Sequence, residues 1–167
     1  DEHVFIFSLN SMKRLCARFN LEVIDIKKLP TAGGSLRYYI ARKGEYKIKN
    51  NVKNQLKREN LYKINSKKTL LKFKHNCEKS KRNLINFLNK YSKKNIIVGY
   101  GATSKSTTIF NYCNVTNKQI AYLTDTTSTK VDKYTPGTHI PIKNYNYFKK
   151  NNPDICILLA WNHSNEI

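Results

Sequence analysis

A chain of 167 residues that is 40% hydrophobic and 25% charged has ordinary globular composition, with room for one full core or two partial ones. Its net charge of +20, from 31 Lys+Arg against 11 Asp+Glu, is nearly all lysine scattered with asparagine, isoleucine and tyrosine, the mark of compositional bias on solvated surfaces. A nucleic-acid reader calls instead for arginine clusters interleaved with stacking aromatics, so nucleic acid is not expected as a partner. No apolar run approaches the roughly 18 residues of a membrane span and no signal-peptide pattern opens the chain, which gives a cytoplasmic expectation with no membrane partner. Cys16, Cys77, Cys113 and Cys156 lie far apart without a CxxC pair; they read as small buried hydrophobes, and no metal site is expected. With Asp at position 1 and no tail after Trp161 to Ile167, the chain is expected to be a piece of a longer protein.

Taken in order, Glu2 and His3 place an acid and a base against the apolar run Val4 to Phe7. Ser8 or Asn10 then caps a helix over residues 9–19, where Leu9, Met12, Leu15, Cys16 and Phe19 recur at spacings of three and four, and Asn20 stops it. Residues 21–29 and 36–42 read as strands separated by Pro30 and the Gly33-Gly34 connector, an antiparallel pair. Residues 45–95 turn Lys/Asn-rich and read as one or two amphipathic helices, the stronger from about Ser66 to Ser92, with Leu84, Leu88 and Tyr91 on one face.

From Ile96 the pattern alternates: strand 96–99, helix Lys105 to Cys113, strand 119–124, a polar loop, a short helix near 145–150 and strand 155–160. Strands alternating with helices imply a parallel, doubly wound sheet. Three segments are thus expected: 1–44, a helical connector over 45–95, and a Rossmann-like 96–167.

The first strand of that last segment runs into Gly99-Tyr100-Gly101-Ala102-Thr103-Ser104-Lys105-Ser106, a turn suited to an anion at the helix start. It fails the Walker A spacing, because Ser104 stands where a glycine must precede the lysine. It matches the dinucleotide fingerprint in part: Gly99 and Gly101 fit, Ser104 takes the third place, and Asp125 ends the next strand where a ribose-binding acid would sit. A strand-turn-helix junction without a ligand is the competing reading. Downstream, Lys130 and Lys133 precede the Pro136-Gly137 turn, which places Thr138 and His139 beside it, while Trp161 and Asn162 follow the last strand where an indole and an amide suit a base or sugar. His139 and His163 are binding candidates only. Glu2-His3 is the acid/base candidate, since histidine titrates near neutrality and can take a proton from carbon beside a carbonyl.

Five stretches in this order resemble the nucleotide-sugar C-methyltransferases: Glu2 to Ser8; Gly33-Gly34-Ser35-Leu36-Arg37; Gly99 to Lys105; Pro136 to Ile142; and Ala160 to Ile167. The Lys-rich middle has no counterpart beyond variable connecting helices, and the family usually follows the loop lysine with glycine where this chain has Ser106. The resemblance implies an α/β protein: the tail of a class I methyltransferase domain (a helix plus antiparallel strands), a helical connector, then an incomplete Rossmann-like C-terminal domain. It implies methyl transfer from S-adenosylmethionine to a ring carbon beside the ketone of a nucleotide-linked deoxy keto sugar. His3 would be the base, with Glu2 orienting it. Ser35, Arg37, Gly99, Gly101, Thr103, Lys105, Asp125, Lys130, Pro136, Gly137, His139, Trp161 and Asn162 would hold the nucleotide-diphosphate sugar. The glycine-rich S-adenosylmethionine loop and a cysteine-rich zinc module would lie upstream of Asp1, so that the piece alone could not methylate. An NAD(P)-dependent oxidoreductase domain and a basic nucleic-acid-binding module are the alternatives.

Overall fold

The computed structural model describes residues 5–31 and 34–165 and divides the chain after residue 74 into two units. In the first, Ser8 caps helix α1 (Leu9–Ala17) by accepting the Ser11 N–H at 3.1 Å. The three-and-four spacing buries Leu9 and Cys16 with Met12 packed beside them, and Asn20 turns the chain at a φ of 54°. Strand β1 (Leu21–Leu29) pairs antiparallel with β2 (Ser35–Arg42), from Leu21 opposite Arg42 to Leu29 opposite Ser35. A bulge between Val23 and Asp25 explains why Val23 and Ile26, three apart, both enter the core: the extra residue reverses the alternation of faces.

Helix α2 (Asn50–Leu61) adds Val52 to that core and supplies a buried carboxylate. Glu59 accepts the N–H groups of Leu9 at 2.7 Å and Asn10 at 3.1 Å, with Gln55 Nε2 at 3.3 Å. A negative group thus sits on the positive end of α1, satisfying donors that a helix start leaves open. The connector is therefore two helices, α2 and α3 (Lys67–Tyr91).

In the second unit, Leu84, Ile85, Leu88 and Tyr91 of α3 pack with Phe110 and Cys113 of α4 (Ser104–Cys113) against a four-stranded sheet. The strands are β3 (Ile97–Tyr100), β4 (Tyr122–Thr124), β5 (Ile142–Lys143) and β6 (Ile155–Leu158), in the order β5-β4-β3-β6, all parallel. Helix α5 (Tyr145–Asn151) lies between β5 and β6 in the chain and sets Tyr145 and Phe148 edge-on to Tyr100.

β2 and β3 lie within one residue of the sequence pattern, and larger differences fall at β4, β5 and β6. β4 starts at Tyr122 rather than 119, because Gln119 is held in a turn, its Oε1 accepting the Thr116 N–H at 2.9 Å. β6 stops at Leu158 because the N–H groups of Leu159 and Ala160 both swing to the Tyr100 carbonyl, at 2.9 and 3.1 Å. β5, only two residues long, has no expected counterpart. Among the described residues no helix is long and apolar enough to cross a membrane.

Candidate functional site

The chain leaves β3 toward β4 and β5 on one side, then returns through α5 to β6 on the other. The reversal sets a topological switch point at the carboxyl ends of β3 and β6, and the crevice outside such a point is where open parallel sheets take ligands. Its floor is tightly filled. A Cβ on Gly99 would stand 2.5 Å from Leu159 Cδ1 and 2.6 Å from Leu123 Cδ2. Gly101, at a φ of +96°, donates its N–H to the Thr124 carbonyl at 2.7 Å, and a Cβ there would lie 2.7 Å from that of Ala160. The backbone and Cβ of Ala160 thus require glycine at 101, whereas the obstacles at Gly99 are the methyl ends of two leucine side chains.

Above that floor α4 begins with a capping box. Thr103 Oγ1 accepts the Ser106 N–H, and Ser106 Oγ accepts the Thr103 N–H, both at 3.0 Å. Ser106 is buried, so its hydroxyl does a job that a glycine there could not. Asp125, just past β4, accepts the Ala102 N–H on Oδ2 and the Thr127 N–H on Oδ1, both at 2.8 Å, with Lys130 Nζ 3.3 Å from Oδ2. Burial pushes this carboxyl upward, but the bonds from Thr127 and Ala102 and the charge of Lys130 outweigh it, holding its pKa below the ordinary value. The N–H groups of Ser104 and Lys105 remain without a partner among the described residues.

Lys105 reaches across the crevice, its Nζ 4.9 Å from the centre of the Trp161 ring. That indole opens the short 3-10 turn Trp161–His163 after β6, where it and Asn162 are exposed. A helix N-terminus, open N–H groups, an ammonium and an accessible aromatic face therefore converge at one point, an arrangement suited to a phosphate group with a planar ring beside it.

Pro136, Gly137 and His139 belong elsewhere. The Pro136 carbonyl accepts Asn111 Nδ2 at 3.0 Å, in the last turn of α4, and a Cβ on Gly137 (φ +77°) would run into the Asn111 side chain. Thr135 and Thr138 are buried and share a hydrogen bond of 2.7 Å, Thr135 Oγ1 also accepts the Ile140 N–H, and Ile140 and Ile142 enter the core. His139 stands exposed at a φ of 52°. The segment 135–142 thus shapes the approach to β5.

Residues 30–167 match the family described as the C-methyltransferase C-terminal domain. The chain belongs to that family. Over 170 aligned positions it is also 29% identical to the C-methyltransferase NovU of Streptomyces niveus, an alignment that takes in 99% of this chain and 40% of NovU. The chain therefore spans about two-fifths of that relative's length.

Within this member of the family, the remaining candidates fall on the first unit or outside the described residues. Ser35 opens β2 with its Oγ donating to the Thr31 carbonyl at 3.0 Å, and Arg37 is exposed opposite Lys27. Glu2, His3 and Gly33 lie outside the described residues. No group of three or more His, Cys, Asp or Glu gathers among the described residues; of the four cysteines expected in the core, Cys16 and Cys113 are buried, with desolvation raising their thiol pKa, whereas Cys77 is partly buried and Cys156 is exposed. The sequence pattern assigned no role to Ala102, Thr127 or Ala160, although Ala102 and Ala160 fall within the loop and the closing stretch it singled out. Two of them act through backbone N–H groups, which every residue but proline carries. The Thr-x-x-Ser run at 103–106 is the signal that could have found the cap.

Proposed function

We propose that this chain is the C-terminal part of a methyltransferase that adds a methyl group to a ring carbon beside the ketone of a nucleotide-linked deoxy keto sugar. Residues 75–167 hold the nucleotide diphosphate in the crevice. Family membership over residues 30–167 and the likeness to a C-methyltransferase support the reaction class. The observation that carries the binding role is Lys105 over Trp161 at the start of α4. The ammonium and the Ser104 and Lys105 N–H groups meet the phosphates, and the indole offers its face to the base or sugar. His3 takes the proton from the carbon beside the ketone and Glu2 orients its imidazole. S-adenosylmethionine supplies the methyl group, from a site outside the described residues.

Trp161 is the sole tryptophan of the chain, so its emission reports the crevice directly. Titration with thymidine diphosphate is expected to change that emission as the phosphates draw Lys105 off the ring. Lys105→Met should weaken binding by about tenfold or more, the worth of one charge-assisted hydrogen bond. No emission change and no calorimetric heat at millimolar thymidine diphosphate would overturn the binding role. In the polypeptide that carries the methyl-donor site, His3→Ala should abolish methyl transfer and leave nucleotide binding intact; full activity would remove His3 from the mechanism.

A further inference from the structure

A carboxylate at the end of the second strand of such a sheet ordinarily invites one role, gripping the ribose hydroxyls of a bound nucleotide. Asp125 has the position but not the free oxygens. A carboxylate offers about four lone-pair sites, and here three are occupied by the chain's own donors: the Thr127 N–H on Oδ1, and the Ala102 N–H and Lys130 Nζ on Oδ2. Its side chain is only 9% exposed. A ribose diol needs an open acceptor on each hydroxyl, and presenting both oxygens would break bonds that keep the β3–α4 loop against β4. Ala102 stands between Gly101, whose N–H is fixed to the Thr124 carbonyl, and Thr103, the cap of α4. The carboxylate therefore pins the middle of the loop while its two ends are held by the sheet and by the helix cap.

We infer that Asp125 is a positioning residue that holds the Ala102–Lys105 turn in the geometry that receives phosphate, and that the crevice does not read the ribose hydroxyls through it. Lys130 belongs to the same device, keeping the carboxylate turned toward the loop. This rests on the phosphate-binding reading of the crevice proposed above. It follows that the diphosphate is the recognised part of the ligand at this end, and that thymidine and uridine diphosphates, which differ in the sugar 2′-hydroxyl and the base 5-methyl, are held alike here.

The test compares ligands that carry a sugar, deoxyribose in thymidine diphosphate and ribose in uridine diphosphate, against one without. Trp161 emission is followed while the full chain is titrated with inorganic pyrophosphate, thymidine diphosphate or uridine diphosphate, in the wild type, Asp125→Ala and Asp125→Asn. A positioning role predicts that Asp125→Ala weakens all three ligands by the same factor, about tenfold. Asp125→Asn, which keeps one acceptor, should recover part of that loss equally for each. Ribose recognition predicts the opposite, with pyrophosphate unchanged and only the nucleotides weakened, and that result would overturn the inference. If the wild type binds none of the three, the phosphate-binding reading itself fails, and hydrogen exchange at the Ala102 amide then decides the positioning claim. Exchange faster in Asp125→Ala, relative to the Asn variant, supports the pin; unchanged protection sinks it.

Discussion

Replacing Gly101 by alanine probes the tightest point of the crevice. The new methyl would lie 2.7 Å from the Ala160 Cβ and 3.2 Å from the Ala160 nitrogen, on a backbone held at a φ of +96°. The left-handed conformation alone costs an alanine about 1–2 kcal/mol. Overpacking adds about 1–3 kcal/mol, because the obstacle is backbone and a methyl fixed to it rather than the free end of a long side chain. The sum is about 2–5 kcal/mol, a large share of the roughly 5–15 kcal/mol that holds a domain folded. For a unit of this size each kcal/mol moves Tm by about 4–8 °C, so a drop of at least about 8 °C is expected. Thermal unfolding followed by Trp161 emission reads the unit concerned, since the chain's single tryptophan lies within it. The double variant Gly101→Ala/Ala160→Gly separates the two costs: removing the opposing methyl should return about 1–3 kcal/mol as a coupling energy and leave the backbone strain. A Gly101→Ala protein that melts within a degree or two of the wild type, or one that shows no coupling to Ala160, would refute the packing described for this loop.

Glu59→Gln should destabilise the first unit by about 1–3 kcal/mol, because an amide cannot accept at both positions and leaves one buried N–H of Leu9 or Asn10 facing a donor. Urea unfolding followed by circular dichroism is expected to show an earlier midpoint, and an unmoved midpoint would remove Glu59 from the start of α1. Asp125 gives a pH dependence of defined sign. Its folded-state pKa lies below the unfolded value of about 3.9, so its stabilisation is full above that value and is lost as pH falls through it toward the folded one. The melting advantage of the wild type over Asp125→Asn should accordingly hold above about pH 5 and shrink as pH falls from there toward about pH 3; an advantage constant over that lower range would contradict the assignment.

The elements with strong periodicity were legible in the sequence. Leu9, Met12 and Cys16 marked α1, the apolar run before Gly99 marked β3, and Leu84 and Leu88 marked the face of α3 that meets the sheet. β5 was not, because two residues carry no period, and its place in the sheet comes from the buried pair Ile140 and Ile142 and the Thr135 loop behind them. The carboxylate at the end of β4 could be located by counting from the glycines, yet its partners could not, being the backbone N–H groups of Ala102 and Thr127 and a lysine among many. Gly101 suggested close approach of a ligand; its reason is Ala160, nearly sixty residues on, a contact visible only once β6 lies beside β3. The Pro136 to Ile142 stretch had the residue types of a binding loop, but its threonines and its glycine are consumed in making the turn.

The Glu59 carboxylate on the first turn of α1 also bears on the order in which the chain folds. Its bonds join residues fifty positions apart, and closing a loop of that length costs on the order of 3.5 kcal/mol in chain entropy before any contact compensates. An isolated nine-residue helix is too short to persist in water by itself. α1 therefore gains half of its N-terminal partners only after β1, β2 and α2 have been brought round to it, so this helix consolidates late and lets go early. Its amides are expected to be the sensitive gauge of whether the whole first unit is assembled.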